Sequence, residues 1–574
     1  MRFKIFYISI LIAFISVASR LFFLQIIQGN YYRLQSARNT IRVIPEKAIR
    51  GKILDRNGVI LAQDRLALDV AIIPQDLKDM RTVFSELSKI FAIKEEELEA
   101  RFRGNISTPF APVVVLGDID KEKALIVAEK TNKFPGVIIE SRPTRVYPYK
   151  YVASHILGYM GMPEVVKESL GDYGFTAVNQ VGISGIEKYL ERFLRGENGG
   201  MQIEVDNRGR QTSLLGLRVP KKGVDIRLTI DIRVQEILDD LFSENKGAAI
   251  LIHPFNGEIL AMVSSPAFDP NVFVEKEHNK LRLRYLLDKD ASLFNRATLG
   301  QYPAGSVFKI ITALAALTNN AINTDTRFFC PGGKLIGRRE FKCWSRHGEE
   351  DLKDAIVHSC NVYFYNAAIL LGAQRLSEYA KIFNLGRPTG IDLPMEESGF
   401  VPSPSLRREI YHQGWYKGDT ANLAIGQGGL LVTPIQIASM ISVIANSGQL
   451  LKPHLVAEVG GKKVIYEAPS KVNIESNYLS FLRGALRSVV EDSSGTAHML
   501  QMYDMEISAK TGTAQAGAGR KHGWVVGFLP FDKPEVAFVI FLEDSQGSSS
   551  ANALAIKLFR RLYKEKLLVF KQDK

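Results

Sequence analysis

The opening stretch constrains this chain most. Residues 5–27 carry a single charge, Arg20, and as a helix they are long enough to cross a bilayer; no later apolar run matches them. A cleaved signal would end in small residues soon after its apolar core, whereas here the apolar run resumes past Ser19-Arg20, so the segment reads as a retained anchor. Arg2 and Lys4 favour a cytoplasmic N-terminus, while Arg33, Arg38 and Arg42 on the other flank blur the asymmetry. The expectation is a single-pass protein of the cytoplasmic membrane, with its tip and anchor in residues 1–28 and nearly all the rest on the extracytoplasmic side.

A chain of 574 residues exceeds one ordinary hydrophobic core, so two or more domains follow from length alone. The net charge of +12 suits an anionic polymer or lipid surface. There is no C2H2 spacing, no RNP-like aromatic motif and no long Lys/Arg block, so no nucleic-acid partner is expected.

Residues 29–220 mix short β-rich runs with polar helical stretches and hold no cluster suggesting chemistry, the pattern of a scaffold. Alternating apolar positions in 41–46 and 59–73 lie around Asp55-Arg56-Asn57-Gly58, a strand-reversing turn. Residues 79–103 have helical period, and Lys94-Glu95-Glu96-Glu97 reads as a solvated face. A second unit begins near Lys221. It shows a strand at 225–232, a helix at 233–242 and a hairpin of 247–252 with 258–263 turned by Pro254-Phe255-Asn256-Gly257. Further strands fall at 506–508, 524–529 and 536–542, an amphipathic helix at 551–563 covers the sheet, and 307–444 reads as mostly helical. Strands at both ends with helices between them predict an α+β fold, an antiparallel sheet closed by distant segments and backed by helices.

The sharpest local anomaly is Ser306-Val307-Phe308-Lys309, because Lys309 is the only charge on a helix that is otherwise apolar on nearly every face. A buried ammonium must find polar partners or lose its proton through desolvation. Pro303-Ala304-Gly305 breaks the chain just before, and the i, i+3 spacing sets Lys309 on the same face as Ser306, where it can serve as general base to the hydroxyl. Alone, the motif reads more simply as a serine cap with a snorkelling lysine. Its company changes that: Ser359-Cys360-Asn361 and Lys510-Thr511-Gly512-Thr513 follow in order.

Together these three motifs resemble the SxxK, SxN and KTG set of the serine β-lactamase and penicillin-binding transpeptidase fold. Arg50-Gly51-Lys52-Ile53-Leu54-Asp55-Arg56-Asn57-Gly58, Arg145-Val146-Tyr147-Pro148 with His155-Ile156-Leu157-Gly158-Tyr159, and Gly182-Ile183-Ser184-Gly185-Ile186-Glu187 are similar to the three boxes of the class B pedestal, so the resemblance to class B penicillin-binding proteins spans most of the chain. Tyr302 to Ser306, Gly426-Gln427-Gly428 and Thr433-Pro434 with Gln436 extend it. The implied organisation is an anchor (1–28), an elongated non-catalytic pedestal (29–220) and a transpeptidase domain (221–574).

The resemblance implies a D,D-transpeptidase that cross-links peptidoglycan stem peptides. Ser306 would attack the penultimate D-Ala carbonyl and Lys309 would take its proton. Ser359 and Asn361 would relay protons and hold the substrate amide, Lys510 and Thr511 would bind its carboxylate, and Gly512 would permit close approach. Backbone N–H groups of Ser306 and Thr513 would form the oxyanion hole. β-Lactam antibiotics, as mimics of D-Ala-D-Ala, would acylate the same serine. The implied partners are a membrane glycosyltransferase of the shape, elongation, division and sporulation family and other elongation-complex proteins.

All three cysteines, Cys330, Cys343 and Cys360, share one window with His347. Three thiolates and an imidazole suit tetrahedral zinc, but on spacing alone a disulfide or buried thiols stay open. Some elongation-type class B enzymes carry a structural zinc at the corresponding loop, and the resemblance implies Zn2+ here with Cys360 as the ligand inside SxN. It is this window that favours the elongation type over the division type. Two other functions remain on the same fold. A carboxypeptidase or β-lactamase would deacylate rapidly, and for the latter no E-x-x-L-N phrase follows Ser359. A penicillin-sensing receptor would be expected to carry more spans or a cytoplasmic effector segment.

Overall fold

The computed structural model describes residues 2–32, 41–106, 112–130, 134–162, 180–205, 211–274, 278–502, 504–517 and 519–568; Arg33 and Arg38 lie outside them. Phe3–Ile27 is the one helix among these residues long and apolar enough to cross a membrane, and none of its apolar window is buried against protein.

The turn at residues 55–58 forms because the Asp55 carboxylate accepts from the N–H groups of Asn57 and Val59, both at 2.8 Å. The strands it reverses are Ile53–Leu54 and Ile60–Ile72. Ile41–Glu46 is not part of that hairpin; it pairs with Gly199–Val205, which in turn pairs with Gln211–Arg218. Ile60–Ile72 continues into a long ladder with Val137–Val146 and a shorter one with Val113–Ile119, packed on a separate core that includes Val70, Phe84, Phe102 and Val127. Residues 79–103 are helical as expected, but in two pieces, Met80–Phe91 and Glu95–Asn105, because Ala92 turns left-handed at φ 55°. Glu95, Glu96 and Glu97 are solvated.

The C-terminal part is built on five antiparallel strands in the order Ile259–Ser265, Gly247–Ile252, Val536–Leu542, Lys521–Leu529 and Ser508–Gln515. Segments from both ends of this region therefore meet in the middle of the sheet. Gly247–Ile252 and Val536–Leu542 are buried at every position, which is why both read as continuous apolar runs instead of alternating ones. Ser548–Lys564 and the fully buried Pro434–Ala445 pack against the sheet. The middle is less helical than its sequence suggests. Phe328–Cys330 pairs with Gly348–Glu350, and Gly333–Ile336 pairs with Arg339–Lys342, so two short ladders stand between Ser306 and Ser359.

One sheet runs across residue 220. Ile226–Leu228 lies between Ile53–Leu54, in parallel, and Val456–Val459, antiparallel. Ile53, Leu61, Ile156, Ile186 and Ile226 accordingly belong to the same apolar core as the C-terminal sheet. Beside it is an ionic cluster. Glu187, fully buried, accepts from Arg50 Nε and Arg145 Nε, each at 2.7 Å, and from Tyr147 OH at 3.2 Å. Burial pushes the Glu187 carboxyl up, but the two guanidinium groups outweigh it and hold it below the usual range. Removing one member of such a cluster leaves a buried charge unmatched. Glu187→Gln is expected to destabilise the protein by about 3–5 kcal/mol, read by denaturant unfolding; a loss below ~1 kcal/mol would show that the cluster does not hold the junction.

Candidate active site

Ser306 sits in a 3-10 turn, Gly305–Phe308, one turn ahead of the helix Lys309–Thr318. In a 3-10 turn residues i and i+3 eclipse, so the tighter winding still stacks Lys309 over Ser306. Gly305 has φ 56°, and a Cβ there would lie 2.8 Å from Thr513 O; glycine alone lets the turn approach that strand. Ser306 is half-buried, whereas Val307, Phe308 and Lys309 are buried, so the hydroxyl is the accessible end of an otherwise sealed turn.

Lys309 is 1% exposed. Its Nζ lies 2.7 Å from Ser359 O, 2.7 Å from Asn361 Oδ1 and 3.2 Å from Ser359 Oγ. Burial pushes its ammonium down to about 8, against the opposing pull of Cys343 and Cys360. A neutral amine has two N–H donors and one lone pair. The Ser359 carbonyl and the Asn361 side-chain oxygen, both acceptors, take the donors. The lone pair is left for a hydroxyl: that of Ser359 lies 3.2 Å away, while Ser306, one turn back on the same face, makes no hydrogen bond to Lys309 in this structure.

The position of that carbonyl depends on a strained residue. Helix Leu352–Val357 ends with Cys360 N–H donating to Ala355 O at 2.9 Å, a Schellman closure that puts Ser359 in the left-handed region at φ 54°. Glycine is the usual occupant of such a position. Serine here costs on the order of 1 kcal/mol or more, and in return presents both a carbonyl and a hydroxyl to Lys309. Asn361 then starts the next helix, Asn361–Leu371.

Ser508–Gln515 is the last strand of its sheet, paired on one side only, and it packs against the Ser306 turn. A Cβ at Gly512 would lie 2.9 Å from Val307 Cγ2, so this glycine sets the distance between strand and turn. Lys510 is fully buried, and its Nζ donates to Thr511 O at 3.1 Å. Burial, aided by repulsion from Lys309, pushes it well below the ordinary lysine range. Thr513 is exposed, whereas the Thr511 hydroxyl donates to Thr496 Oγ1 at 2.8 Å.

Thr496 is a residue that no motif marks. Its N–H donates to Val357 O at 3.3 Å, and two residues earlier Ser494 Oγ lies 2.9 Å from His358 Nε2. His358 Nδ1 in turn lies 2.9 Å from Glu350 Oε1. The loop 494–496 therefore ties the Ser359 helix end to Thr511. His522 packs on Tyr302 and Phe541, which anchors its strand.

The three thiols are unpaired, and with the nearer His347 ring nitrogen all four donor atoms lie within 4.8 Å of one another. His347 Nδ1 is 3.5 Å from Cys330 Sγ and 3.6 Å from Cys343 Sγ. The edge of a zinc tetrahedron between S and N ligands is about 3.5 Å, so the donor set fits that ion. The Cys343 thiol is pushed down, chiefly by a hydrogen bond from Cys360 and also by the Asn361 N–H, 3.2 Å away.

The Penicillin binding protein transpeptidase domain family matches residues 247–564, and the Penicillin-binding Protein dimerisation domain family matches 45–228. The peptidoglycan D,D-transpeptidase MrdA of Salmonella typhimurium is 33% identical, with 93% of this chain and 91% of that protein covered. The MrdA of Escherichia coli is 31% identical, with 93% and 90% covered. Among solved structures, the complex between penicillin-binding protein (PBP2) and MreC from Helicobacter pylori superposes with TM-score 0.82 at 29% identity, covering 92% of this chain and 99% of that one. A chain from a structure described as the structural coordination of polymerization and crosslinking by a peptidoglycan synthase complex superposes with TM-score 0.76 at 28% identity, each chain covered in full. With the serine turn, its buried lysine and the edge strand gathered in one place, and both halves of the chain matched, this chain belongs to the penicillin-binding protein transpeptidase family.

Proposed function

We propose that this chain is an elongation-type peptidoglycan D,D-transpeptidase, and that the hydrogen-bond balance at Lys309 is what makes it one. With both N–H groups of a neutral amine committed to Ser359 O and Asn361 Oδ1, the lone pair can take a proton from a serine hydroxyl. Ser306 Oγ attacks the penultimate D-Ala carbonyl carbon and gives its proton to Lys309. The C–N bond to the terminal D-Ala breaks as the proton passes through the Ser359 hydroxyl to the leaving amine. The amine of a second stem then attacks the ester, and its proton returns Ser306 to the hydroxyl form. The N–H groups of Ser306 and Thr513 stabilise the oxyanion, and the donor stem lies along the free edge of Ser508–Gln515 as an added strand. Thr511 and Thr513 hold the terminal carboxylate, whose charge would favour the ammonium form of Lys510 behind them against the burial that opposes it.

Cys330, Cys343, His347 and Cys360 would hold a zinc ion. Such an ion would supply structural bonding alone, with no open position for substrate. Its work would be to fix the backbone on both sides of Ser359 and Asn361. The Phe3–Ile27 helix anchors the protein in the cytoplasmic membrane, N-terminus inward and the remainder outside. Residues 29–220 serve as the pedestal and 221–574 as the catalytic domain. A membrane polymerase and an MreC-like protein are the proposed partners, on the likeness to chains from the two complexes above.

Penicillin is expected to leave a long-lived adduct on the peptide containing Ser306, seen by mass spectrometry and abolished in Ser306→Ala; an adduct elsewhere, or label lost within a turnover, would overturn the reading. Acylation is expected to quicken as pH rises from 7 to 9, because the amine form of Lys309 grows as pH passes about 8. Lys309→Ala should lower the rate by roughly 10²–10⁴-fold and flatten that profile. Protein purified without added zinc should carry one equivalent by elemental analysis. Cys343→Ser should lose the metal and unfold at lower temperature, and a metal-free wild type of unchanged stability would refute the clamp.

A further inference from the structure

The loop between Cys330 and His347 carries five cations, Lys334, Arg338, Arg339, Lys342 and Arg346, against a single carboxylate, Glu340. Lys334 is engaged by the Asn366 side-chain oxygen. The other four are exposed, and none enters an ion pair among the described residues. Such a concentration of like charge repels itself unless an anion comes to it.

The hairpin that carries three of these four is held firmly. Phe341 packs edge-on to Tyr365 at 5.8 Å, and a Cβ at Gly418 would come within 2.9 Å of the same ring. Lys342 O accepts from Tyr365 OH and from Asn361 Nδ2, both at 3.3 Å. Asn361 is also the partner of Lys309, so the base of the hairpin is one side chain away from the reacting groups. From there Arg339–Lys342 runs outward against Gly333–Ile336 to a turn at Gly337 and Arg338. At about 3.3 Å per residue, Arg338 and Arg339 stand roughly 10–13 Å from Lys342.

We propose that this hairpin is a binding subsite for the free carboxylates of the stem peptide, upstream of its D-Ala-D-Ala end. The inference rests on the transpeptidase reading and adds the part of the substrate that penicillin lacks. The proposal places the stem alongside the hairpin: with its penultimate D-Ala at Ser306 and about the same spacing per residue, an acidic residue two positions upstream then comes within reach of these long side chains. The contacts are exposed and additive. Each contributes little singly, and all weaken as salt shortens the screening length.

The test uses the full-length protein and three measurements. Arg338→Glu with Arg339→Glu is expected to be acylated by penicillin at the wild-type rate. It should cross-link stems bearing free carboxylates about tenfold more slowly at low salt, and stems with those carboxylates amidated within about twofold of wild type. Arg338→Gln with Arg339→Gln should give a smaller loss of the same pattern. The proposal is overturned if both kinds of stem slow equally, if neither slows, or if acylation falls in parallel. Failure of the wild type to be acylated at all would instead sink the transpeptidase reading.

Discussion

Everything at this site follows from enclosing one ammonium group in a dry place. Lys309 lies inside a helix that packs on all sides, where water cannot solvate its charge, and the surrounding oxygens come from one short segment, Ser359 to Asn361. Burial lowers the cost of the amine form, and fixed acceptors decide which way its lone pair is left to point. Other features serve that arrangement: the left-handed Ser359, the helix that stops at Val357, and the thiol cluster that grips Cys343 and Cys360 around it. A lysine in the same sequence position with solvent access would stay protonated and do nothing for a serine.

The grouping of the candidate site was legible in the sequence because its residues come as short local spacings whose types are rare in apolar surroundings. Ser306 and Lys309 share a turn, and the cysteines fall in one window with His347. The sheet was legible for a related reason, since fully buried strands leave continuous apolar runs. What the sequence hid depends on distance. Thr496 and His358 acquire their roles only from partners brought in by folding, with Ser494 136 residues from His358. Ile41–Glu46 gave no clue that its partner was Gly199–Val205. The ladders between residues 328 and 350 are three or four residues long, too short for a period of two to register.

The Ser359 helix end and the edge strand are tied together away from the Ser306 turn as well as beside it. Glu350, His358 and Ser494 form a line of hydrogen bonds from the cysteine loop to the segment that steadies Thr511, so that loop and the edge strand share a support. This gives the free strand edge a fixed back, and an edge that does not shift can align an incoming peptide without first being ordered by it.

The sheet that crosses residue 220 has a practical bearing on how this protein can be cut. Ile226–Leu228 is sandwiched between Ile53–Leu54 and Val456–Val459, so a fragment starting after the pedestal would strip one neighbour from a buried strand and bare Ile226 and the apolar residues around it. Such an edge invites association with any other unpaired strand. The catalytic half is therefore no detachable module: the chain before it completes its hydrogen-bond ladder, and excision that spares every reactive group would still yield a sticky, unfinished body.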